Sequence, residues 1–347
     1  MNFETILITG VAGFIGANLT YSLLQTNDNL LIIGIDNMND YYDTGLKRYR
    51  LERINDCAGE GSWVYFEGDI SDEVFLKEIF EKYNPNIVVN LAAQAGVRYS
   101  IENPRVYIQS NLVGFSNILE CCRHDKNLRH LVFASSSSVY GGRKEIPFRE
   151  TDNVDAPVSL YAATKKSDEL LAHSYSKLYD IPTTGLRFFT VYGPAGRPDM
   201  AYFSFTDKLV RGDKINIYNY GNCERDFTYI DDIVDGIIKV IGRAPKKQIG
   251  EDGLPVPAYE IYNIGNSHPE NLMAFVHTLA VELIRAKVLD KNFDIETHIN
   301  LVPMQPGDVP ITYADTSKLE RDFGFRPRTD LRTGLRKFAE WYKGYYV

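Results

Sequence analysis

The sequence predicts an α/β fold: a Rossmann-like doubly wound parallel sheet, with a smaller, interleaved C-terminal substrate domain. Three observations lead to this prediction. Short apolar strands alternate with helical segments in the first half of the chain, polar residues follow the strand ends, and the pattern changes after about residue 195. Alternating strands and helices are typical of βαβ units in a parallel sheet. The 347 residues can form one large or two medium domains.

The first unit places a strand, a turn, a helix, a second strand and an acidic residue in order. The strand ILITG ends at Gly10, and Gly10, Gly13 and Gly16 form a G-x-x-G-x-x-G turn. The second strand, NLLIIGID, ends at Asp36. Glycines allow a pyrophosphate to approach the backbone, a helix amino terminus attracts its charge, and the acid accepts from a ribose. Because Asp36 would repel a 2′-phosphate and Asn37 follows it, the unit is predicted to bind NAD rather than NADP.

Further strands and helices follow in alternation. The segment SWVYFEGDI reaches Asp69, and the next helix is predicted to begin with Ser71 or Asp72 as its N-cap and to stop at Asn84-Pro85. The next strands are NIVVNLAAQ, HLVFASSSSVYG and TTGLRFFTVYG. Ligands of such sheets bind at the carboxyl ends of the strands. The residues expected at those ends are Asp69, Leu91 to Gln94, Ser135 to Ser138 and Thr190.

A catalytic site is predicted from Tyr161 and Lys165, which stand four residues apart in the helical segment YAATKKSDELLAHSY. Residues i and i+4 share a helix face, so the ammonium can lie near the phenol. A free phenol titrates near pH 10, and a neighbouring positive charge favours its basic form. The serine run upstream can supply a hydroxyl to the oxygen that gains or loses the proton. The prediction depends on a nicotinamide lying beside the pair.

The same spacing occurs a second time, at Tyr140 and Lys144. Gly141 and Gly142 lie between them, and two adjacent glycines disfavour a continuous helix. This second match is therefore predicted not to form a site.

Composition and charge argue against several classes of protein. The net charge is -8 without a block of Lys or Arg, so nucleic acid and anionic membranes are poor partners. No apolar run approaches the roughly 20 residues that span a bilayer, and the start, MNFETILITG, enters the first strand at once. We therefore predict a cytoplasmic protein without a membrane partner. The four cysteines and six histidines lack metal-ligand spacing, so no metal site is expected.

The region after about residue 195 is predicted to cap the cofactor domain and to hold the substrate. It contains the strand-like INIYNYG, the strand and helix of ERDFTYIDDIVDGIIKVIG, a polar loop from Arg243 to Pro257, and a helix from Asn271 to Ala286. The predicted domains are residues 1–195 with a contribution from about 226–243 for the cofactor, and residues 196–225 and 244–347 for the substrate.

Seven ordered motifs cover nearly the whole chain: GVAGFIG, NLAAQAGVRYS, SSSSVYG, YAATK, RFFTVYGP, RDFTYIDD and QPGDVPITYAD. Together they resemble the extended short-chain dehydrogenase/reductases and, within them, the nucleotide-sugar 4-epimerases. The stretches DNMNDYYDTGLKRYRL, GRPDMA and PMQPGDVP resemble the UDP-glucuronate 4-epimerases. The resemblance implies NAD-dependent conversion of UDP-glucuronate to UDP-galacturonate through a transient 4-keto intermediate.

The resemblance also implies roles for single residues. Ser136, Tyr161 and Lys165 match the catalytic positions. The implied cofactor contacts are Gly10, Gly13, Phe14, Ile15 and Gly16 at the pyrophosphate, Asp36 and Asn37 at the adenosine ribose, Asp69 and Ile70 at the adenine, Leu91, Ala92, Ala93 and Gln94 beneath the cofactor, and Asn111, Tyr161 and Lys165. The implied substrate contacts are Arg98, Ser137, Ser138, Thr190, Arg197, Arg225, Gln305 and Asp308, of which Thr190 and Arg197 match sugar ligands, Arg225 a diphosphate ligand and Asp308 a ribose ligand.

Two positions depart from related epimerases. Gln305 stands where many glucose-type epimerases carry arginine, so one phosphate contact is weaker or supplied elsewhere. Thr312 stands where some relatives carry a bulky tyrosine, which leaves room for a larger sugar substituent. For a uronic acid, the 4-keto intermediate is a β-keto acid that loses carbon dioxide if its carboxylate aligns with the carbonyl. Arg197, Thr190 and the serine run are expected to fix the carboxylate plane.

Three alternatives stay open. UDP-glucose 4-epimerase uses the same catalytic trio. A 4,6-dehydratase or decarboxylase is disfavoured because those relatives usually carry an acidic residue where Ser138 stands. The third alternative, a non-catalytic NAD-binding module, is disfavoured by the intact trio. By family analogy, a homodimer is expected through helices near residues 104–123 and 161–179.

Overall fold

The computed structural model describes residues 4–26, 29–250, 253–305 and 308–347. Its strands are β1 (Glu4–Thr9), β2 (Leu30–Asp36), β3 (Trp63–Glu67), β4 (Ile87–Asn90), β5 (His130–Ser136), β6 (Thr183–Phe188), β7 (Thr190–Tyr192), β8 (Ile215–Ile217), β9 (Glu224–Tyr229), β10 (Gln248–Ile249), β11 (Pro255–Val256), β12 (Tyr259–Ile264), β13 (Pro269–Asn271) and β14 (Ile299–Leu301).

The helices alternate with the strands through the first half of the chain. They are α1 (Phe14–Thr26), α2 (Thr44–Cys57), α3 (Glu73–Tyr83), α4 (Tyr99–Glu102), α5 (Pro104–Tyr107), α6 (Gly114–His124), α7 (Leu160–Tyr179), α8 (Ala201–Val210), α9 (Ile230–Ile241), α10 (Leu272–Arg285), α11 (Ser317–Phe323) and α12 (Leu331–Tyr346). A π-helical segment, Ile108–Val113, joins α5 to α6.

The central sheet of the described chain has seven strands in the order β12-β6-β5-β4-β1-β2-β3. Every neighbouring pair in it is parallel. The predicted doubly wound α/β fold is therefore confirmed. The edge strand β12 comes from the segment assigned to the substrate domain, so the sheet extends beyond residues 1–195. The domain bounds stay a prediction.

Both faces of the sheet are covered by apolar side chains. Along β1, Ile6 and Ile8 pack into one core, which includes Leu19 of α1, while Leu7 packs into a second core with Phe115 of α6. Alternate residues of a strand point to opposite faces, so a continuously apolar strand is one that is buried on both sides. Within the described ranges, no helix combines the length and apolarity needed to cross a bilayer.

The predicted single strand TTGLRFFTVYG is wrong, because the chain forms two strands in different sheets. β6 belongs to the central sheet, whereas β7 pairs in parallel with β9 in a three-stranded sheet of order β13-β9-β7. The backbone N–H of Phe189 still bonds to Ile264 of β12, and its side chain is buried beside Tyr140 and Phe148. The chain leaves the central sheet at this residue, and Thr190 begins the second sheet.

Local signals set several element ends. Asp72 is the N-cap of α3 and accepts from the N–H groups of Val74 and Phe75, which decides between the two predicted caps. The helix then ends at Asn84, which is left-handed. The predicted break beside Tyr140 is confirmed: a short 3₁₀ turn ends there, and Gly141 has φ +59°.

The predicted surface loop from Arg243 to Pro257 contains a short ladder that the sequence did not indicate. β10 and β11 pair antiparallel, and the N–H of Gly250 bonds to Leu254. Residues 251 and 252 of this loop lie outside the described chain.

Candidate active site

A cavity of about 740 Å³ lies at the carboxyl ends of the central strands. Its wall includes most of the predicted site residues, brought together from positions that span nearly the whole chain. Among described residues, Asn111 and Gln305 are the predicted site residues that do not line it. The predicted residues in the wall are Gly10, Gly13, Phe14, Ile15, Gly16, Asp36, Asn37, Asp69, Ile70, Leu91 to Gln94, Arg98, Ser136, Ser137, Ser138, Tyr161, Lys165, Thr190, Arg197, Arg225 and Asp308.

The glycine-rich turn forms one end of the cavity. Gly10 has φ +69°, and a Cβ there would lie 2.7 Å from the backbone nitrogen of Ala92. A Cβ on Gly16 would lie 2.3 Å from the carbonyl oxygen of Gly10. The turn is thus closely packed backbone, followed directly by the amino terminus of α1. This is a cradle that fits a pyrophosphate.

Asp36 at the end of β2 is held in place by backbone groups. Its carboxylate accepts from the N–H of Ala12 at 3.0 Å and of Met38 at 2.9 Å, and the Lys47 ammonium lies 3.7 Å away. A carboxylate has about four lone-pair sites, so it retains capacity for further donors such as ribose hydroxyls. These contacts and the turn together fit the adenosine half of a dinucleotide.

Asn37 and Asp69 are joined across the same end of the cavity. The Asn37 amide donates to Asp69 at 2.8 Å, and the N–H of Ser71 donates to the other carboxylate oxygen. Burial opposes ionisation of Asp69, but the hydrogen bonds from Asn37 and Ser71 outweigh it and lower its pKa. The carboxylate is therefore ionised and oriented at neutral pH.

Tyr161 and Lys165 lie on the first turns of α7, which Ser159 caps by accepting from the N–H of Ala162. The Tyr161 ring packs edge-on against Tyr107, with centroids 6.1 Å apart. Its hydroxyl forms no hydrogen bond within the described chain. The phenol therefore faces the cavity with its hydroxyl oxygen available.

Lys165, which lines the cavity, is paired with Asp168, a residue that does not line it and that the sequence did not indicate. Its ammonium donates to Asp168 Oδ2 at 3.1 Å, and both side chains are buried. The other oxygen of Asp168 is buried without a hydrogen-bond partner among described residues. Burial raises the pKa of Asp168 to about 7, and the Lys165 charge opposes this shift.

The four serines of the run have different surroundings. Ser135 donates to Glu169 at 2.6 Å, and Glu169 forms a buried two-point ion pair with Arg187. Ser136 accepts from the N–H of Ser138 at 3.2 Å, which leaves its own hydroxyl proton free to donate into the cavity. Ser135 therefore serves a buried network, and the geometry favours Ser136 as the predicted catalytic hydroxyl.

Arg197 lies in the part of the cavity predicted to bind the sugar, here called the sugar end, and is already paired. Its Nε and Nη2 donate to the two oxygens of Asp199 at 3.0 and 2.6 Å, and Tyr41 donates to the same carboxylate at 3.3 Å. Nη1 has no partner in the described chain. The predicted carboxylate clamp stays a prediction, with one edge of the guanidinium held by Asp199 and Nη1 left for a ligand.

The part of the cavity predicted to bind the nucleotide, here called the nucleotide end, is bordered by contacts between distant parts of the sequence. Arg98 pairs with Asp308 at 3.3 Å and lies over the Tyr218 ring. Arg225 donates to the carbonyls of Glu224 and Pro310. Thr312, like Gln305, does not line the cavity among described residues, and its predicted effect on pocket size stays a prediction.

Asn111 lies behind the cavity wall rather than in it. It accepts from the N–H of Gln94 and donates to the Gln94 carbonyl, at 2.8 and 3.0 Å, and its amide also donates to Thr164. It thus ties the loop after β4 to α7. Within the described chain, no cluster of three or more His, Cys, Asp or Glu side chains could hold a metal ion.

Comparison with known proteins agrees with this geometry. Residues 7–338 match the family model described as GDP-mannose 4,6 dehydratase. Protein CapI of Staphylococcus aureus is 50% identical over 98% of this chain and 99% of its own length. UDP-glucuronate 4-epimerase 2 of Arabidopsis thaliana is 45% identical over 99% of this chain and 77% of its own length. UDP-glucuronic acid 4-epimerase from Bacillus cereus, solved in complex with UDP-glucuronic acid and NAD, has a TM-score of 0.85 and 29% identity, covering 99% of this chain and 100% of that one.

Proposed function

The chain belongs to the GDP-mannose 4,6 dehydratase family of extended short-chain dehydrogenase/reductases, and we propose that it catalyses NAD-dependent 4-epimerisation of a UDP-sugar. The favoured reaction converts UDP-glucuronate to UDP-galacturonate through a 4-keto sugar. One observation carries this proposal: a single cavity joins the dinucleotide cradle, the trio Ser136, Tyr161 and Lys165, and a guanidinium at Arg197.

In this proposal the trio moves protons at the sugar 4-oxygen. Tyr161 takes the proton of the 4-hydroxyl as carbon 4 is oxidised, and it returns a proton when the keto group is reduced on its other face. Lys165 places a positive charge beside this phenol, and Ser136 donates to the reacting oxygen. When NAD is bound, it supplies the hydride chemistry at carbon 4, with no net oxidation or reduction.

The sugar end favours a uronic acid over a neutral hexose. A 4-keto uronic acid loses carbon dioxide when its carboxylate bond aligns with the carbonyl π system, so the enzyme must hold that carboxylate out of alignment. Arg197 presents a guanidinium already oriented by Asp199, and Thr190, Ser137 and Ser138 line the same cavity. A charged donor with fixed orientation is suited to this task.

The cavity carboxylates disfavour elimination of water. Among the described lining residues these carboxylates are Asp36, Asp69, Asp199 and Asp308. The first two lie at the adenosine end, and the others pair with Arg197 and Arg98. The serine run supplies neutral hydroxyls instead of the acid that a dehydratase uses.

We also propose an oligomeric state and a cellular compartment for the protein. The segments near 104–123 and 161–179 carry exposed apolar side chains, including Ile108, Leu170 and Leu178, which are 41%, 59% and 66% exposed. Such side chains on two neighbouring helices suit a dimer interface, which light scattering coupled to gel filtration would detect as twice the chain mass. We place the enzyme in the cytoplasm, where its four free cysteines stay reduced; cell fractionation tests this.

The deciding experiment incubates the NAD-loaded protein separately with UDP-glucuronate and UDP-glucose, and identifies the products by NMR. We expect UDP-galacturonate from the first and much slower turnover of the second. Faster turnover of UDP-glucose would instead establish a glucose-type epimerase. Tight NAD binding without turnover of any nucleotide sugar would establish a non-catalytic module.

A further inference from the structure

Arg50 is a buried cation to which the proposed reaction assigns no role. It lies on α2 and is 1% exposed. Burying a guanidinium costs free energy unless its donors are satisfied. Within the described chain, no carboxylate pairs with it. Carbonyl oxygens and one hydroxyl compensate the charge instead. This indicates that Arg50 holds those groups in place.

The hydrogen bonds of Arg50 join two parts of the cavity wall. Nη1 donates to the carbonyl of Ala12 at 2.9 Å and to the Tyr42 hydroxyl at 2.7 Å. Nε donates to the carbonyl of Ala195 at 2.9 Å, and Nη2 to that of Gly196 at 2.8 Å. Ala12 belongs to the glycine-rich turn, whereas Ala195 and Gly196 directly precede Arg197. One side chain therefore links the cofactor cradle to the loop that carries the sugar-binding guanidinium.

The loop before Arg197 depends on such support. Ala195 has φ +52°, a left-handed conformation that is strained for a non-glycine residue and persists only where the surroundings hold it. The forked guanidinium bonds two consecutive carbonyls of this loop, and a lysine ammonium cannot reproduce that planar two-point contact. Loss of the fork would therefore free the loop to relax and would displace Arg197.

We propose that Arg50 is a positioning residue that fixes the Arg197 loop against the glycine-rich turn, so that Arg197 meets the carboxylate of a uronic acid while carbon 4 faces the nicotinamide. The inference rests on the proposed function. It predicts that Arg50 acts through Arg197, and it predicts a larger effect on a uronate substrate than on a neutral sugar.

The test is a double-mutant cycle with Arg50→Lys, Arg197→Ala and the double variant, each assayed at saturating NAD with UDP-glucuronate and UDP-glucose. A displacement of about 1 Å can reduce turnover about 10²-fold. We expect Arg50→Lys to lose about that much kcat/KM on UDP-glucuronate, to lose much less on UDP-glucose, and to release 4-keto pentose. We expect the double variant to be no worse than Arg197→Ala alone, because residues that act through one contact are not additive.

Equal losses on both substrates, or multiplied losses in the double variant, would show a general structural role and overturn the inference. Arg48→Lys, an exposed neighbour on the same helix, is the matched control and should match wild type.

If Arg50→Lys does not fold, Tyr42→Phe provides the test. It removes one partner of Arg50 and should give a smaller loss with the same preference for UDP-glucuronate. A Tyr42→Phe enzyme with wild-type kinetics on both substrates would then overturn it.

Failure of the inference and failure of the proposed function give different results. A wild-type enzyme that does not epimerise UDP-glucuronate overturns the function and the inference together. An active wild type that is sensitive to Arg197→Ala but indifferent to Arg50→Lys overturns the inference alone.

Discussion

The two ends of the cavity are built in different ways. The cofactor end is made of closely packed backbone and of Asp36, whose carboxylate is held by nearby N–H groups. The sugar and nucleotide end is made of charged side chains paired with one another, such as Arg197 with Asp199 and Arg98 with Asp308. The first end is therefore formed by backbone groups that already contact one another. At the second end, charged side chains orient one another, and Nη1 of Arg197 is left without a partner among the described residues.

In the proposed reaction, this difference suits a cofactor that stays bound and a substrate that is exchanged. A preformed backbone cradle loses little conformational entropy on binding, which favours a cofactor that stays in place. Paired side chains lower affinity because their ion pairs must be rearranged. The proposed reaction requires the sugar to rotate between two hydride transfers, so its contacts at this end must form and break within one turnover.

The largest expected effect lies where the two ends meet, at Tyr161. Replacing Tyr161 with Phe removes the proton-transferring hydroxyl and should lower kcat about 10²- to 10⁴-fold, with bound NAD unchanged. Turnover assays and measurement of released NAD check this. Tyr179→Phe, on the same helix but outside the cavity wall, should keep wild-type activity. An active Tyr161→Phe enzyme would contradict the assignment.

Breaking the sugar end should change substrate use without changing NAD content. Arg197→Ala is expected to raise KM for UDP-glucuronate about 10- to 100-fold, the cost of a lost charge-assisted contact, and to release 4-keto pentose. Kinetics and NMR of the products measure both effects. The exposed Arg211→Ala is the control. Unchanged kinetics with UDP-glucuronate would remove the basis for a carboxylate clamp.

A substitution at the cofactor end should weaken NAD binding and leave substrate use little changed. In Gly16→Ala the new Cβ would lie 2.3 Å from a backbone oxygen, so the turn must shift, at a cost of about 1–3 kcal/mol. We expect a lower Tm and about tenfold weaker NAD binding, measured by calorimetry, with KM for the sugar little changed at saturating NAD. Gly344→Ala, where a Cβ meets no atom within 4 Å, should leave NAD binding unchanged and, because it lies within α12, should not lower Tm. Equal NAD affinity in both variants would show that the turn is not a rigid cradle.

Removing the exposed ion pair at the nucleotide end should have a smaller effect on activity than the substitutions above. The Arg98 side chain is 56% exposed, and such surface pairs contribute about 0–1 kcal/mol. Arg98→Ala should therefore leave Tm unchanged and raise KM for the UDP-sugar by about two- to fivefold. Arg105→Ala, a nearby exposed arginine, controls for the loss of charge. A large fall in Tm would show that this end is rigid as well.

The difference between the two ends of the cavity also explains which parts of it could be predicted from the sequence. The cofactor end follows from local patterns, because Gly10, Gly16 and Asp36 lie within one βαβ unit. The pairing of Arg98 with Asp308 joins residues 210 positions apart, and no local pattern contains it. The division of TTGLRFFTVYG between two sheets is not predictable from the sequence, because no Gly, Pro, Asn or Asp marks the break at Phe189.

Arg50 shows a signal that sequence reasoning overlooked. Leu46, Arg50 and Ile54 are spaced four residues apart on α2, and all three are buried. A charged residue in the middle of a helical apolar stripe is out of pattern, and buried charges need specific partners. That irregularity could have marked Arg50 as a residue with a structural task, although its partners at Ala195 and Gly196 are visible only in the fold.

The buried pair of Lys165 and Asp168 links the stability of the protein to proton uptake. Burial raises the pKa of Asp168 from its usual 3.8 to about 7, so the folded state binds this proton more tightly than the unfolded state does. Its contribution to the free energy of unfolding is therefore complete below about pH 4 and is lost as the pH rises to about 7. Asp168→Asn cannot titrate, so its Tm relative to wild type should rise by about 2 °C between pH 5 and pH 8; a constant difference in differential scanning calorimetry would contradict this linkage. The protein thus carries, one helical turn from the proposed catalytic Lys165, a buried carboxyl whose protonation near neutral pH contributes to the stability of the fold.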